Sequence, residues 1–319
     1  MVGCTFALAI VQTNFIFDIM KKEKNYLFPF MEELIDRLKE LGKTRTAETY
    51  STTLNSFKRF RNDKDMPLDM IDSDVMTAYE AFLKNSGVIS NSSSFYLRNL
   101  RAVYNRAVEK GLTVQQYPFR HVYTGVDKTI KRAVSLKTIK DIKNLDLSGN
   151  YPLSFARDIF LFSFYTRGMS FVDIAFLRKK DLVGNILTYR RRKTGKMLNI
   201  RWEKCMQEIV NRYDTGESPY MLPIIHSTDD AEGRRQYINM AHNVNRGLKN
   251  IGQMLRLPLP LTMYVARHAW ASIARSKNIP LSIISEGMGH DSELTTRIYL
   301  TSLDTMAIDK ANMMILSLL

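Results

Sequence analysis

The sequence predicts a mainly α-helical protein of two domains that carries one small β-hairpin. Three observations lead to that class. From about Phe28 to Gly111 apolar residues recur at helical spacing. Residues 116–133 lose that period and gather Pro118, Gly125 and several basic side chains, as a linker does. In the second half only residues 185–202 change to β-rich runs, on either side of a Lys-Thr-Gly-Lys turn. A length of 319 residues suits two domains, and 45% hydrophobic content is ample for two cores.

Four helices are expected ahead of the linker. "FMEELIDRLKEL" places Phe30, Leu34, Leu38 and Leu41 on one face, and the next segment does the same with Tyr50, Leu54, Phe57 and Phe60. "DSDVMTAYEAFLKN" opens on Asp72 or Ser73, either of which suits an N-cap. The fourth, residues 91–111, carries an apolar stripe of Leu97, Leu100, Tyr104 and Val108 and stops at Gly111. Its polar stripe, Arg98, Arg101 and Asn105, is either an ordinary solvated face or one that lies along phosphates. In the second half, residues 135–145, 151–182, 203–213, 238–255, 261–278, 280–288 and 303–319 read as helical around the hairpin.

Charge narrows the partner. The chain carries 46 Lys+Arg against 32 Asp+Glu, a net charge of +14. Such an excess repels itself and is offset by a polyanion, nucleic acid before an acidic membrane surface. Cys4 and Cys205 make neither a disulfide framework nor a zinc site, as in a reducing cytoplasm. Residues 1–24 read as a leader. Their apolar run lacks a basic residue ahead of it, and Asp18 interrupts it short of membrane-spanning length. Met20 is an alternative start.

Three features carry chemistry. Arg190, Arg191, Arg192, Lys193, Lys196, Arg201 and Lys204 crowd the hairpin, opposed only by Glu203. If Arg191 and Lys193 lie on a strand, they share a face: one a fixed fork of donors, the other a movable proton donor. In "YVARHAWAS", Tyr264 and Arg267 share a helix face, and Arg267 stands in an apolar stretch where a buried guanidinium needs an anion. In "GHDSELTTRIYL", His290 precedes Tyr299. Two arginines, a lysine, a histidine and a late tyrosine can hold a phosphodiester and offer it a nucleophile.

That set resembles the tyrosine recombinase (phage integrase) superfamily over nearly the whole chain. The resemblance implies a SAM-like core-binding domain over residues 25–115, a linker over 116–133 and a catalytic domain over 134–319. Position by position it implies that Tyr299 is the nucleophile, Arg267 the second arginine, His290 the histidine after it, and Lys193 the hairpin lysine. Two positions depart from the pattern. Tyr264 stands where the family has a histidine three residues before the second arginine, and Ser170 stands where its first arginine belongs. Arg167, about one turn earlier, is the first choice to replace that arginine, and Arg191 from the hairpin is the second. This variant block resembles recombinases of Bacteroidetes-type mobile elements.

The activity so implied is site-specific DNA recombination through a 3′-phosphotyrosyl link, with no ATP, metal or cofactor. A free tyrosine has a pKa of about 10, so roughly 4 kcal/mol of stabilisation is needed to poise it near neutrality. Arginines would stabilise the charge of the transition state, and Lys193 would protonate the leaving 5′-oxygen. Arg98, Arg101, Arg190, Arg192 and Lys196 are the expected DNA contacts. The implied partners are double-stranded DNA with inverted-repeat half-sites, three further copies on that DNA (the free chain being monomeric) and accessory DNA-bending proteins. The expected location is the cytoplasm, on the nucleoid, away from membranes. A DNA-binding regulator that has lost catalysis is the alternative, for which Ser170 speaks. A topoisomerase IB-like relaxase is a third.

Overall fold

A computed structural model of the chain describes residues 25–127, 132–297 and 312–317. The chain divides into two compact units, Met1–Thr129 and Ile130–Leu319.

The first unit is built from α1 (Leu27–Glu40), α2 (Thr44–Arg61), α3 (Ser73–Asn85) and α4 (Ser90–Glu109). Phe30, Leu34 and Leu38 are buried as their spacing predicts, whereas Leu41 is exposed because α1 ends one residue before it. Asp72 rather than Ser73 caps α3, accepting from the Val75 amide at 2.9 Å. The rings of Phe57, Phe60, Tyr79 and Phe82 form one cluster, and the Tyr79 hydroxyl donates to Ser56 at 2.8 Å.

The linker reading needs a correction at its start. Phe119 and Val122 are buried in the core of this unit. Asn91 exchanges two hydrogen bonds with the backbone of Asp127, and Glu80 accepts from the Tyr123 amide at 3.0 Å. The residues through Asp127 are therefore part of the first unit. Two isolated apolar side chains suffice to anchor them, and two give no period for a sequence reading to find.

The second unit is assembled around α6 (Tyr151–Tyr165), which is buried along most of its length. Against it pack α5 (Leu136–Asn144), α8 (Lys204–Val210), α9 (Asp230–Met254) and α10 (Met263–Ser276). The long α9 approaches closely at Gly247, where an added Cβ would lie 2.9 Å from that of Ala156. It begins eight residues before the helical pattern of 238–255 suggests, at an Asp229 side chain that accepts from the Glu232 amide at 2.8 Å. Asp158, buried in α6, joins Arg157, Arg212 and the Tyr213 hydroxyl, each at 2.9 Å.

The expected hairpin is present as β2 (Ile186–Arg190) and β3 (Met197–Arg201), antiparallel in the register Ile186↔Arg201 to Arg190↔Met197. A two-residue β1 (Leu182–Val183) completes the sheet. Leu187, Tyr189, Leu198 and Ile200 turn inward at period two. Three short helices remain: α7 (Phe171–Ala175), α11 (Leu281–Gly287) and α12 (Glu293–Arg297). Of the helix expected over 303–319, residues 312–316 are described and are helical. Among the described residues no helix is long and apolar enough to cross a membrane.

Candidate active site

A cavity of about 560 Å³ opens in the second unit. Its walls come from the start of α7 (Ser170), the connection between β2 and β3 (Arg191, Lys193), α9 (Asn245, Lys249) and the first turns of α10 (Thr262, Tyr264, Arg267). Residues from Met169 to Arg267 thus meet around one space that no carboxylate among the described residues lines.

Arg267 is buried, 5% exposed. Its guanidinium donates to the carbonyls of Gly168 and Met288, both at 2.7 Å, and to His290 Nε2 at 2.7 Å. A guanidinium has no acceptor, so His290 Nε2 is the lone-pair nitrogen and Nδ1 carries the proton, donating to Thr296 Oγ1 at 2.7 Å. Burial, then the charges of Arg267, Arg191, Lys193 and Lys196, push the His290 pKa down from 6.5 to about 3. The imidazole is therefore neutral at physiological pH and orients Arg267 rather than adding a positive charge.

The sign of that shift makes a prediction. Between pH 6.5 and about 3 the unfolded chain binds a proton at His290 that the folded chain does not. The stability contributed by this residue is fully present above about pH 6.5 and is lost progressively as the pH falls toward 3. Thermal melts of the wild type and of His290→Gln, taken between pH 8 and pH 4, will show a shallower acid decline in the variant. Parallel curves would contradict it.

Arg191 is the second buried arginine, also 5% exposed. Its Nη1 donates to the Gly289 carbonyl at 2.7 Å, while its buried Nε has no hydrogen-bond partner among the described residues. Each arginine is held by the carbonyl of a glycine in the left-handed region, Gly168 at φ 76° and Gly289 at φ 66°. No side chain fits at either place. An added Cβ would lie 2.7 Å from the Arg267 Cα in one case and 2.8 Å from Leu198 Cδ1 in the other.

Strand alternation does not explain how Arg191 and Lys193 come together. β2 ends at Arg190, and both residues sit in the connection that follows. The Arg191 amide donates to the Lys196 carbonyl at 2.9 Å and the Gly195 amide to the Arg191 carbonyl at 2.8 Å. This compact turn aims both side chains into the cavity. Asp173, buried beside it, accepts from the Ser170 hydroxyl at 2.5 Å and from the Arg192 amide at 2.8 Å. It ties α7 to the turn. Lys196 reaches the His290 carbonyl at 3.5 Å.

The other expected site residues are placed as follows. Tyr264 lines the cavity, half exposed, with its ring edge-on to His268 at 4.7 Å. Arg167 is absent from the lining: it has φ 61° in the turn after α6, and its side chain runs beside Gly287 of α11. Arg190 folds back on the Gly195 carbonyl at 2.7 Å, and Arg192 lies 3.8 Å over the Phe176 ring. In the first unit Arg98 donates to the Gly125 carbonyl and Arg101 to Thr124 Oγ1, both at 3.0 Å. Tyr299 lies outside the described residues. Sequence reasoning missed Thr296, Asn245 and Lys249 as parts of the site. Thr296 was within reach, since it belongs to the same "LTTRIY" run as Tyr299.

The arrangement can hold a phosphodiester. Two buried guanidinium groups and an ammonium face a space that no carboxylate among the described residues lines, and a neutral histidine fixes one of the arginines. Comparison with known proteins gives the architecture a setting. Residues 26–122 match the family described as the phage integrase SAM-like domain. No curated protein matches by sequence. Among solved structures the chain is similar to lambda integrase (residues 75–356), crystallised as a dimer bound to a COC' core site. That match has a TM-score of 0.67 and 15% identity, covering 86% of this chain and 95% of the other. It is also similar to the Tn1549 transposon integrase in complex with circular intermediate DNA, with a TM-score of 0.64 and 15% identity over 89% of this chain and 98% of the other. A lambda integrase tetramer bound to a Holliday junction matches with a TM-score of 0.64 and 14% identity, over 90% and 80%. The chain has the fold of these integrases, a SAM-like first domain followed by a domain with the fold of their catalytic domain.

Proposed function

We propose that the chain is a site-specific DNA recombinase of the tyrosine recombinase superfamily, which cleaves and rejoins DNA through a 3′-phosphotyrosyl link on Tyr299. The observation that carries this reading is the convergence of Arg191, Lys193 and Arg267 on one cavity, with His290 hydrogen-bonded behind Arg267. A regulator that only binds DNA has no use for a buried arginine fixed by a neutral histidine.

The Tyr299 phenolate attacks a backbone phosphorus, the bond to the 5′-oxygen breaks, and Lys193 gives that oxygen its proton. A 5′-hydroxyl from the partner strand later reverses the step on the new strand. Phosphodiester count is conserved, so the cycle balances without ATP. Arg191 and Arg267 bind the non-bridging oxygens, where charge accumulates in the transition state. Arg191 thereby takes the place of the first arginine. Supporting it are its burial, its unpartnered Nε and its position in the lining, none of which Arg167 shares.

On this reading residues 25–127 grip DNA as the core-binding domain and residues from about 134 onward cut it. The target carries inverted-repeat half-sites, four copies act together, and the element served is a mobile one of the Bacteroidetes type. Arg101, Arg190, Arg192 and Lys196 are proposed phosphate contacts. Arg98 is reassigned to holding the Gly125 backbone.

Covalent trapping tests the reading. Nicked DNA from the protein's own locus, incubated with the wild type and denatured in SDS, will yield a protein–DNA adduct that Tyr299→Phe abolishes. Salt-sensitive binding without an adduct on an established target would leave the DNA-binding regulator instead.

A further inference from the structure

The cavity is larger than one phosphate requires. At about 560 Å³ it has the volume of sites that enclose whole drug-sized ligands. Arg191, Lys193 and Arg267 line it, and so does a further cation, Lys249, which has no part in the mechanism above. Lys249 is exposed and makes no ion pair with any described carboxylate, whereas Lys58, Lys84 and Lys110 each have one.

One hydrogen bond joins the helices that carry Lys249 and Arg267. Asn245 Oδ1 accepts from the Met263 amide at 3.0 Å, so a side chain of α9 caps the start of α10. Thr262, the N-cap residue itself, makes no side-chain capping bond. Its hydroxyl is released from the duty a threonine usually performs there. Lys249 is one helical turn beyond Asn245 on α9, and Arg267 is one turn beyond Met263 on α10. The two cations therefore stand one turn away from the same pinned point, on different helices, facing one cavity. The positive end of the 14-residue α10 lines the same cavity. The Arg191 side chain, 5% exposed, lines the same space, and its buried Nε has no hydrogen-bond partner among the described residues.

We infer that Lys249, with Thr262 and the first turn of α10, forms a second phosphate subsite, which holds the DNA phosphate next to the scissile one on the same strand. Asn245 sets its position. The subsite rests on the recombinase reading and adds to it the alignment of the strand: two neighbouring phosphates held at once fix both the location and the direction of the backbone before attack.

The test is a chemical double-mutant cycle on the target site mapped by trapping, in the Tyr299→Phe background so that binding is read alone. Lys249→Gln will make the slope of log K against log[salt] shallower by about 0.9. Neutral methylphosphonates placed singly along the strand will weaken Tyr299→Phe by about 10-fold at the phosphate beside the scissile one. The same substitution will leave the Lys249→Gln double variant nearly unaffected, and Thr262→Val will couple to that phosphate too. Coupling at the scissile phosphate, at a more distant one, or at none overturns the subsite. Absence of any wild-type adduct is a different result, because it removes the recombinase reading itself.

Discussion

Replacing Arg267 by alanine will cost the second unit more than any other single truncation in the site, in stability as well as in activity. The side chain is 5% exposed, and three buried acceptors depend on it: the Gly168 carbonyl, the Met288 carbonyl and His290 Nε2. At about 1–3 kcal/mol for each buried acceptor left without a donor, the loss is roughly 3–9 kcal/mol. Those acceptors belong to the turn after α6 and to the segment after α11, so the damage spreads beyond one helix. Strand cleavage will fall by about 10²–10³-fold or more as the transition-state contact disappears. Denaturant unfolding and adduct yield measure the two effects separately. Arg267→Lys divides them: it keeps a charge but not the planar fork, and will recover part of the stability while cleavage stays low. Full activity in Arg267→Lys would show that charge alone suffices.

The second large effect is expected at Arg191 and not at Arg167. Arg191→Ala will lower single-turnover adduct formation at saturating DNA by about 10²-fold or more. Arg167→Ala will stay within a few-fold of wild type. The contrast follows from placement: the Arg191 Nε is buried, unpartnered and in the cavity wall, whereas the Arg167 side chain runs along Gly287. The conformation of Arg167, φ 61°, adds an independent check. Arg167→Gly will leave stability unchanged or raise it by about 1 kcal/mol, since glycine carries no penalty in that region. Equal rate losses at the two arginines would return the missing cation to Arg167.

How much of this was legible beforehand depended on how far apart the partners lie in the chain. Arg267 and His290, hydrogen-bonded in the structure, could be singled out because they belong to short segments with characteristic spacing; Tyr299, singled out in the same way, lies outside the described residues. The four helices of the first unit were legible because burial repeats every three or four residues. The choice between Arg167 and Arg191 was not legible. Helical arithmetic put Arg167 within reach of the place of Ser170, but two consecutive left-handed residues, Arg167 and Gly168, break the helix between α6 and α7 and turn the side chain elsewhere. Arg191 and Lys193 were correctly expected to face the same way, although for the wrong reason: the turn does it, not the strand. Asn245 and Lys249 carry no local signal, because their significance arises only where α9 meets α10. The same holds for Phe119 and Val122, which look like stray apolar residues until the first unit closes over them.

The connection between β2 and β3 has a consequence for timing. It carries Arg191 and Lys193 on one short turn, latched by the Gly289 carbonyl, the His290 carbonyl and the Asp173 carboxylate. On the proposed mechanism the oxyanion clamp and the proton donor therefore travel as a single part. A displacement of those few residues disarms both at once, and their return rearms both. On the proposed mechanism, an active site of this construction has no half-ready state in which a phosphate is held without its acid.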